Sequence, residues 1–177
     1  MSQDEKVHAK AFTLLPAVIP LPWLQDGFNL LAVKIYADIC TLCRPFDDQS
    51  QPRIWLETHA LCVILNLVEL GQIQMVRSPI QDLEISSNPW TFRRLWEEQC
   101  LTLASENVPL TPAQQQRARE LEALGVGAMD ALHAASAEAA ACTHLLTCDD
   151  RFCKRYRGPL TILNPADFVV SYFQQLP

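Results

Sequence analysis

No run of this chain approaches the roughly 20 consecutive apolar residues that a membrane-spanning helix needs. The most apolar early region, Ala11 to Leu24, is broken by Pro16, Pro20 and Pro22 and lacks the layout of a signal peptide. These two absences predict a soluble, cytoplasmic protein with no membrane contact. Positive charge is also short: 14 Lys and Arg stand against 20 Asp and Glu, for a net charge of -6 and a pI near 5.1. That argues against broad electrostatic attraction to nucleic acid. A few acids gathered at a metal site would account for much of the excess and leave room for a locally basic surface. A disulfide framework is missing too. The seven cysteines are odd in number and scattered through apolar context, the pattern of reduced, packed thiols. Cys40-x-x-Cys43 has metal-knuckle spacing, but no second pair matches it, so packing is the better reading. There are no internal repeats and no convincing linker. With 49% hydrophobic and 19% charged residues, the 177-residue chain is globular and fits one domain.

Residues 1–32 begin polar, turn Pro-rich and apolar, and follow no period. They are read as an N-terminal extension, either an appended arm or sequence upstream of the true start. The domain proper is read as 33–177. Its first strand spans about 34–38, and Arg44 to Asp48 forms a loop. A helix covers Pro52 to Leu70, with Ile54, Leu61, Ile64, Leu65 and Val68 at helical spacing and Gly71 as its stop. Strands follow at Ile73–Val76, Leu145–Thr147 and Leu160–Leu163. Helices are predicted from Pro79 to near Asn88, over Thr91–Ala104, from Pro112 to Leu124, over Ala128–Cys142, as a turn at Arg151–Arg157, and from Pro165 to Phe173. Short buried strands separated by helices predict an α/β fold, a three-layer α/β/α sandwich around a parallel sheet.

The candidate site comes from where strands end on acid. Asp38 and Asp149 each follow a buried strand at the carboxyl edge of the proposed sheet, where ligands bind in such folds. Asp130 sits near the amino end of the helix that precedes the second of those strands. Three carboxylates in one place repel and raise pKa values unless a hard divalent cation neutralises them. Mg²⁺ or Mn²⁺ suits all-oxygen ligation, and a carboxylate-held metal that activates water is a phosphodiester-hydrolysing site. At this level Asp38 as an ordinary turn residue and Asp130 as an acid favoured by the helix dipole stay open.

Four stretches in order carry a resemblance: Y-A-D-I-C-T-L-C-R-P-F-D-D-Q, then S-P-I-Q-D-L-E, then M-D-A-L-H-A-A, then L-L-T-C-D-D-R-F. Together they resemble a PIN domain of the VapC toxin kind, over about residues 33 to 175. The resemblance implies a Mg²⁺- or Mn²⁺-dependent endoribonuclease directed at single-stranded RNA, the toxin of a type II toxin–antitoxin pair, with a cognate antitoxin and a homodimeric state. By position, the family's catalytic and metal-binding acids fall on Asp38, Glu84, Asp130 and Asp149, with Glu57 or Asp82 as alternatives to Glu84. Thr147 matches the family's Thr or Ser two residues before the last acid, and Asp150 is a substitute or outer partner for Asp149. Ile39 and Cys40 depart from the common Thr and Asn after the first acid, removing two polar side chains that brace the site.

Three further readings complete the picture. His133, three residues after Asp130, is read as a packed or hydrogen-bonded histidine rather than a ligand. Arg151, Lys154, Arg155 and Arg157 put four of the 14 basic side chains within seven residues of one another, next to Asp149, and are read as contacts to an RNA backbone. Cys40 and Cys148 flank the candidate acids and are read either as two cysteines packing in the sheet, the better reading, or as one or both close enough to the metal site for oxidation or soft-metal capture to inhibit it. Against the nuclease stands a PIN-fold binding or assembly module without useful catalysis, supported by Ile39 and Cys40. A phosphatase with a nucleophilic first Asp would need a second Asp where Cys40 stands, and is set aside.

Overall fold

A computed structural model of the chain describes residues 33–175; the extension assigned to residues 1–32 lies outside them. Five parallel strands form one sheet: β1 (Lys34–Ala37), β2 (Gln74–Arg77), β3 (Glu106–Asn107), β4 (His144–Leu146) and β5 (Thr161–Leu163). Their order is β3-β2-β1-β4-β5, so the first strand lies at the centre. Ile35 pairs with Met75 on one side and His144 on the other.

The two-residue period of a strand splits the core in two. Ile35, Ala37, Met75 and Leu146 face a cluster that includes Leu61, Ile64, Leu67, Leu101 and Phe168. Tyr36, Val76 and Leu145 face the opposite cluster, built on Leu121, Ala131, Ala134, Ala135 and Phe152. Helices α1 (Ile39–Leu42), α2 (Pro52–Glu69), α4 (Thr91–Leu101) and α8 (Pro165–Gln174) supply the first cluster, and α5 (Pro112–Ala123), α6 (Ala128–Ala139) and α7 (Asp150–Arg155) the second. Helix α3 (Pro79–Ser87) contacts both α4 and α6. This is the α/β/α sandwich that the alternation of elements predicts.

Local signals explain most boundaries. Pro occupies the first turn of α2, α3, α5 and α8, where its missing N–H costs nothing. After α2 the backbone reverses at Gly71, whose φ of +71° suits a residue without Cβ. Buried alanines on α6 let that helix approach the sheet closely.

The structure also differs from the sequence-based expectation. Strand β2 starts one residue later than expected, at Gln74; Ile73 is buried beside it. Helix α4 ends at Leu101 rather than Ala104. Residues 44–46, expected as loop, form a 3₁₀ turn. The edge strand β3 escaped detection because two exposed polar residues, Glu106 and Asn107, make no apolar run.

Candidate active site

Strand β1 delivers Asp38 to the carboxyl edge of the sheet, where its N–H bonds the Leu146 carbonyl at 2.9 Å. The residue then caps α1, accepting from the Cys40 N–H. Only 6% of Asp38 is exposed, so its carboxylate depends on donors from the protein. Oδ2 has two: the Thr147 hydroxyl at 2.8 Å and the Cys40 thiol at 3.0 Å. Oδ1 lies 3.6 Å from His133 Nε2. Oδ1 also accepts the Cys40 N–H, at 3.4 Å, so both oxygens have a protein donor.

Cys40 therefore does polar work in a position where its loss of a Thr or Asn side chain looked like a deficit. Its sulfur also lies 3.3 Å from Thr147 Oγ1 and accepts the Cys148 N–H at 3.2 Å. The Cys148 thiol lies beside Thr41 Oγ1, at 3.8 Å.

Thr147 follows β4 directly and is fully buried. Its hydroxyl accepts the Asp149 N–H at 3.1 Å while donating to Asp38. Asp149 caps α7 through Oδ1, which accepts from Arg151 at 2.7 Å and more distantly from Phe152. Phe152, 1% exposed, anchors that short helix in the second core cluster; burying such a ring is worth about 1.5–3 kcal/mol.

Asp130 projects from the first turn of α6. Burial raises its carboxyl, the charges of Asp38, Asp149 and Glu84 raise it further, and His133 lowers it, leaving it at about 6. The repulsion expected among converging carboxylates thus falls on Asp130. Space for the group comes from Gly127, where an added Cβ would sit 2.8 Å from Asp130 Oδ2.

Of the three candidates for the remaining acid, Glu84 joins the cluster. Its Oε2 meets His133 Nε2 at 2.6 Å. Glu57 is buried elsewhere, paired with Arg44 at 2.7 Å and Arg53 at 2.8 Å, and Asp82 pairs with Arg77. Asp150 is exposed and tied to both terminal nitrogens of Arg53, at 2.6 and 2.7 Å, so it points to α2. Arg151, Lys154, Arg155 and Arg157 are exposed around α7, and Arg157 folds back on the carbonyls of Lys154 and Tyr156.

His133 is hydrogen-bonded, as read from the sequence, but its partners place it within the site. The imidazole is 1% exposed, with Nε2 on Glu84 and Nδ1 2.9 Å from the Tyr36 hydroxyl, which lies 2.7 Å from Ser78 Oγ. Burial pushes the imidazole down; the Glu84 hydrogen bond and the charges of Asp38, Glu84 and Asp130 outweigh it and hold the group above its ordinary value. The signal available in the sequence was its spacing, one turn after Asp130 on the same helix face.

The donor atoms of Asp38, Glu84 and His133 lie within 4.8 Å of one another. Among the described residues, the ion pairs of Asp38 and Glu84 run to His133, and neither acid is neutralised by Lys or Arg. A buried carboxylate, a second beside it and a third whose proton is held up to about 6 fit a divalent cation, which would relieve all three.

The family model for the PIN domain matches residues 46–158, and the chain belongs to the PIN domain family. The match begins after β1, so Asp38 joins the site through the fold and not through the matched segment. Among solved structures, the crystal structure of VapBC2 from Rickettsia felis bound to a DNA fragment from their promoter is similar at 15% identity, covering 75% of this chain and 98% of that chain, with a TM-score of 0.45. No curated protein matches the chain. Among the described residues, no helix is long and apolar enough to cross a membrane.

Proposed function

We propose that the chain is a divalent-metal-dependent endoribonuclease that hydrolyses phosphodiester bonds in single-stranded RNA, acting as the toxin of a type II toxin–antitoxin pair. The observation that carries this reading is the grouping of the Asp38, Glu84 and His133 ligand atoms within 4.8 Å of one another, with Asp130 near enough to be raised by the charges of Asp38, Asp149 and Glu84. Membership of the PIN domain family supports it.

Asp38, Glu84, Asp130 and Asp149 would hold Mg²⁺ or Mn²⁺, which supplies a nucleophilic water at neutral pH and offsets charge on the phosphoryl group. Thr147 and Cys40 keep Asp38 Oδ2 in place so that Oδ1 stays turned to the site. Asp130, raised by burial and by the charges of Asp38, Asp149 and Glu84, is the acid whose ionised form such a cation would restore. The exposed basic side chains of α7 track the phosphates beside Asp149. Residues 33–177 carry this activity in the cytoplasm, as a homodimer. The antitoxin is a protein that sets a basic side chain into the acidic edge.

The test is cleavage of single-stranded RNA in Mn²⁺ and in chelator. Wild type is expected to cut only with metal, and Asp38→Asn and Asp130→Asn to fail. RNA binding with no metal-stimulated cleavage by wild type would favour the binding-module reading instead.

A further inference from the structure

We propose that His133 is a positioning residue: a buried relay, Ser78–Tyr36–His133, holds the Glu84 carboxylate beside Asp38 so that the two acids can share one cation. The inference rests on the metal site proposed above and assigns a task to groups outside its four acids.

Glu84 needs such support. It lies on the second turn of α3, its side chain is 27% exposed, and a glutamate has more rotatable bonds than an aspartate. Left alone beside buried Asp38, it would swing toward solvent, where water screens its charge. The imidazole prevents this. Nε2 lies 2.6 Å from Glu84 Oε2 and 3.6 Å from Asp38 Oδ1, so one N–H faces both carboxylates and bonds the nearer. An ionised carboxylate only accepts, which fixes the proton on Nε2.

The other ring nitrogen is fixed as tightly. Nδ1 meets the Tyr36 hydroxyl at 2.9 Å, and that hydroxyl meets Ser78 Oγ at 2.7 Å. Tyr36 and Ser78 are fully buried. Both hydroxyls donate and accept, so the chain can satisfy Nδ1 whether or not it bears a proton. The relay also closes on the helix that carries Glu84. Ser78 is the cap of α3, its N–H bonded to Gln81 Oε1 at 2.8 Å, and Gln81 Nε2 reaches the Ala37 carbonyl at 2.6 Å. Helix α3 is thereby tied to β1 at Tyr36 and Ala37, directly before Asp38, and to α6 at His133. Groups that orient a metal ligand commonly govern affinity in this way.

The experiment measures Mn²⁺ affinity of the full chain by electron paramagnetic resonance for wild type, His133→Leu, His133→Gln and Tyr36→Phe. His133→Leu, which has no donor, is expected to weaken Mn²⁺ binding about 10–100-fold. His133→Gln, whose amide nitrogen can reach the place of Nε2, should recover most of that loss. Tyr36→Phe should weaken binding less than His133→Leu does. Pulsed measurement on the Mn²⁺-loaded wild type should show no ¹⁴N coupling from His133. Unchanged affinity in His133→Leu overturns the proposal, and so does a ¹⁴N coupling that disappears in His133→Gln, since the imidazole would then be a direct ligand. Should His133→Leu fail to fold, Tyr36→Phe decides, because it keeps the ring, and wild-type affinity there overturns the relay. If wild type itself binds no Mn²⁺, the metal-site reading fails, an outcome distinct from variants that bind as wild type does.

Discussion

Thr147 Oγ1 donates to Asp38 Oδ2 at 2.8 Å, joining residues 109 positions apart across the ends of neighbouring parallel strands. The same hydroxyl accepts the Asp149 N–H, so one side chain sets the orientation of the first acid and the start of the segment bearing the last. Removing it should act on both. Thr147→Val is expected to lose about 10–100-fold in metal affinity or RNA cleavage, and Thr147→Ser to retain most of each. Calorimetric Mn²⁺ titration and initial cleavage rates check this; a Val variant as active as wild type would show that the hydroxyl does not matter.

Asp130 should limit stability. Its carboxyl lies at about 6 against an ordinary 3.8, so the folded chain binds that proton more tightly than the unfolded chain does. The resulting stabilisation is complete below pH 3.8 and is lost as pH rises through about 6. Asp130→Asn, which carries no charge, is therefore expected to melt about 2–4 °C above wild type at pH 8 without metal, with the gap closing by pH 4, while cleavage is abolished. Added Mn²⁺ should stabilise wild type and narrow the gap at pH 8. Thermal scans across pH, with and without Mn²⁺, measure this.

Gly127 makes room for the same carboxylate. A Cβ there would stand 2.8 Å from Asp130 Oδ2, the mobile end of a side chain. Gly127→Ala should thus displace the carboxylate at little cost to folding. The expected result is a Tm near that of wild type together with weaker Mn²⁺ binding.

Peroxide should act through Cys148, which the hydrogen bond with Cys40 lowers, whereas that bond, burial and Asp38 keep Cys40 protonated. Cys148→Ser should retain activity yet lose it to hydrogen peroxide more slowly than wild type, and Cys40→Ser, which keeps a hydroxyl donor for Asp38 Oδ2, should retain activity as well. If Cys40→Ser and Cys148→Ser enzymes are inactivated as fast as wild type, the thiols are not the sensitive groups.

The basic side chains of α7 make a separate prediction. If Arg151, Lys154 and Arg155 meet the RNA backbone, replacing all three with Gln should lower the slope of log affinity against log salt by roughly 0.7 for each phosphate no longer neutralised. Binding of RNA to an uncleavable Asp38→Asn background, measured from low to moderate salt, reads this directly.

Most of the sheet was legible because buried strands announce themselves as apolar runs ending on acid or Pro. Asp38, Asp130 and Asp149 were legible for the same reason: each stands where a core element meets the carboxyl edge. Glu84 was not separable from Glu57 or Asp82 by pattern, since the choice depends on which cations wait nearby, and Arg44, Arg53 and Arg77 claim the other two. The place of His133 was hidden because an imidazole within alanines reads as packing until Tyr36 and Glu84 are brought to it. Cys40 misled in the other direction. A thiol counts as apolar in a hydropathy pattern, yet against a buried carboxylate it serves as a donor.

Because β1 is the middle strand, its partners arrive late. Lys34 and Ile35 find one neighbour some forty positions downstream and the other only near residue 144, pairings of a kind that form slowly. A ribosome making this protein releases Asp38 well before Thr147 and Asp149. The emerging polypeptide therefore carries its first acid without the hydroxyl that holds it until that later segment follows, a built-in delay before the candidate site can assemble.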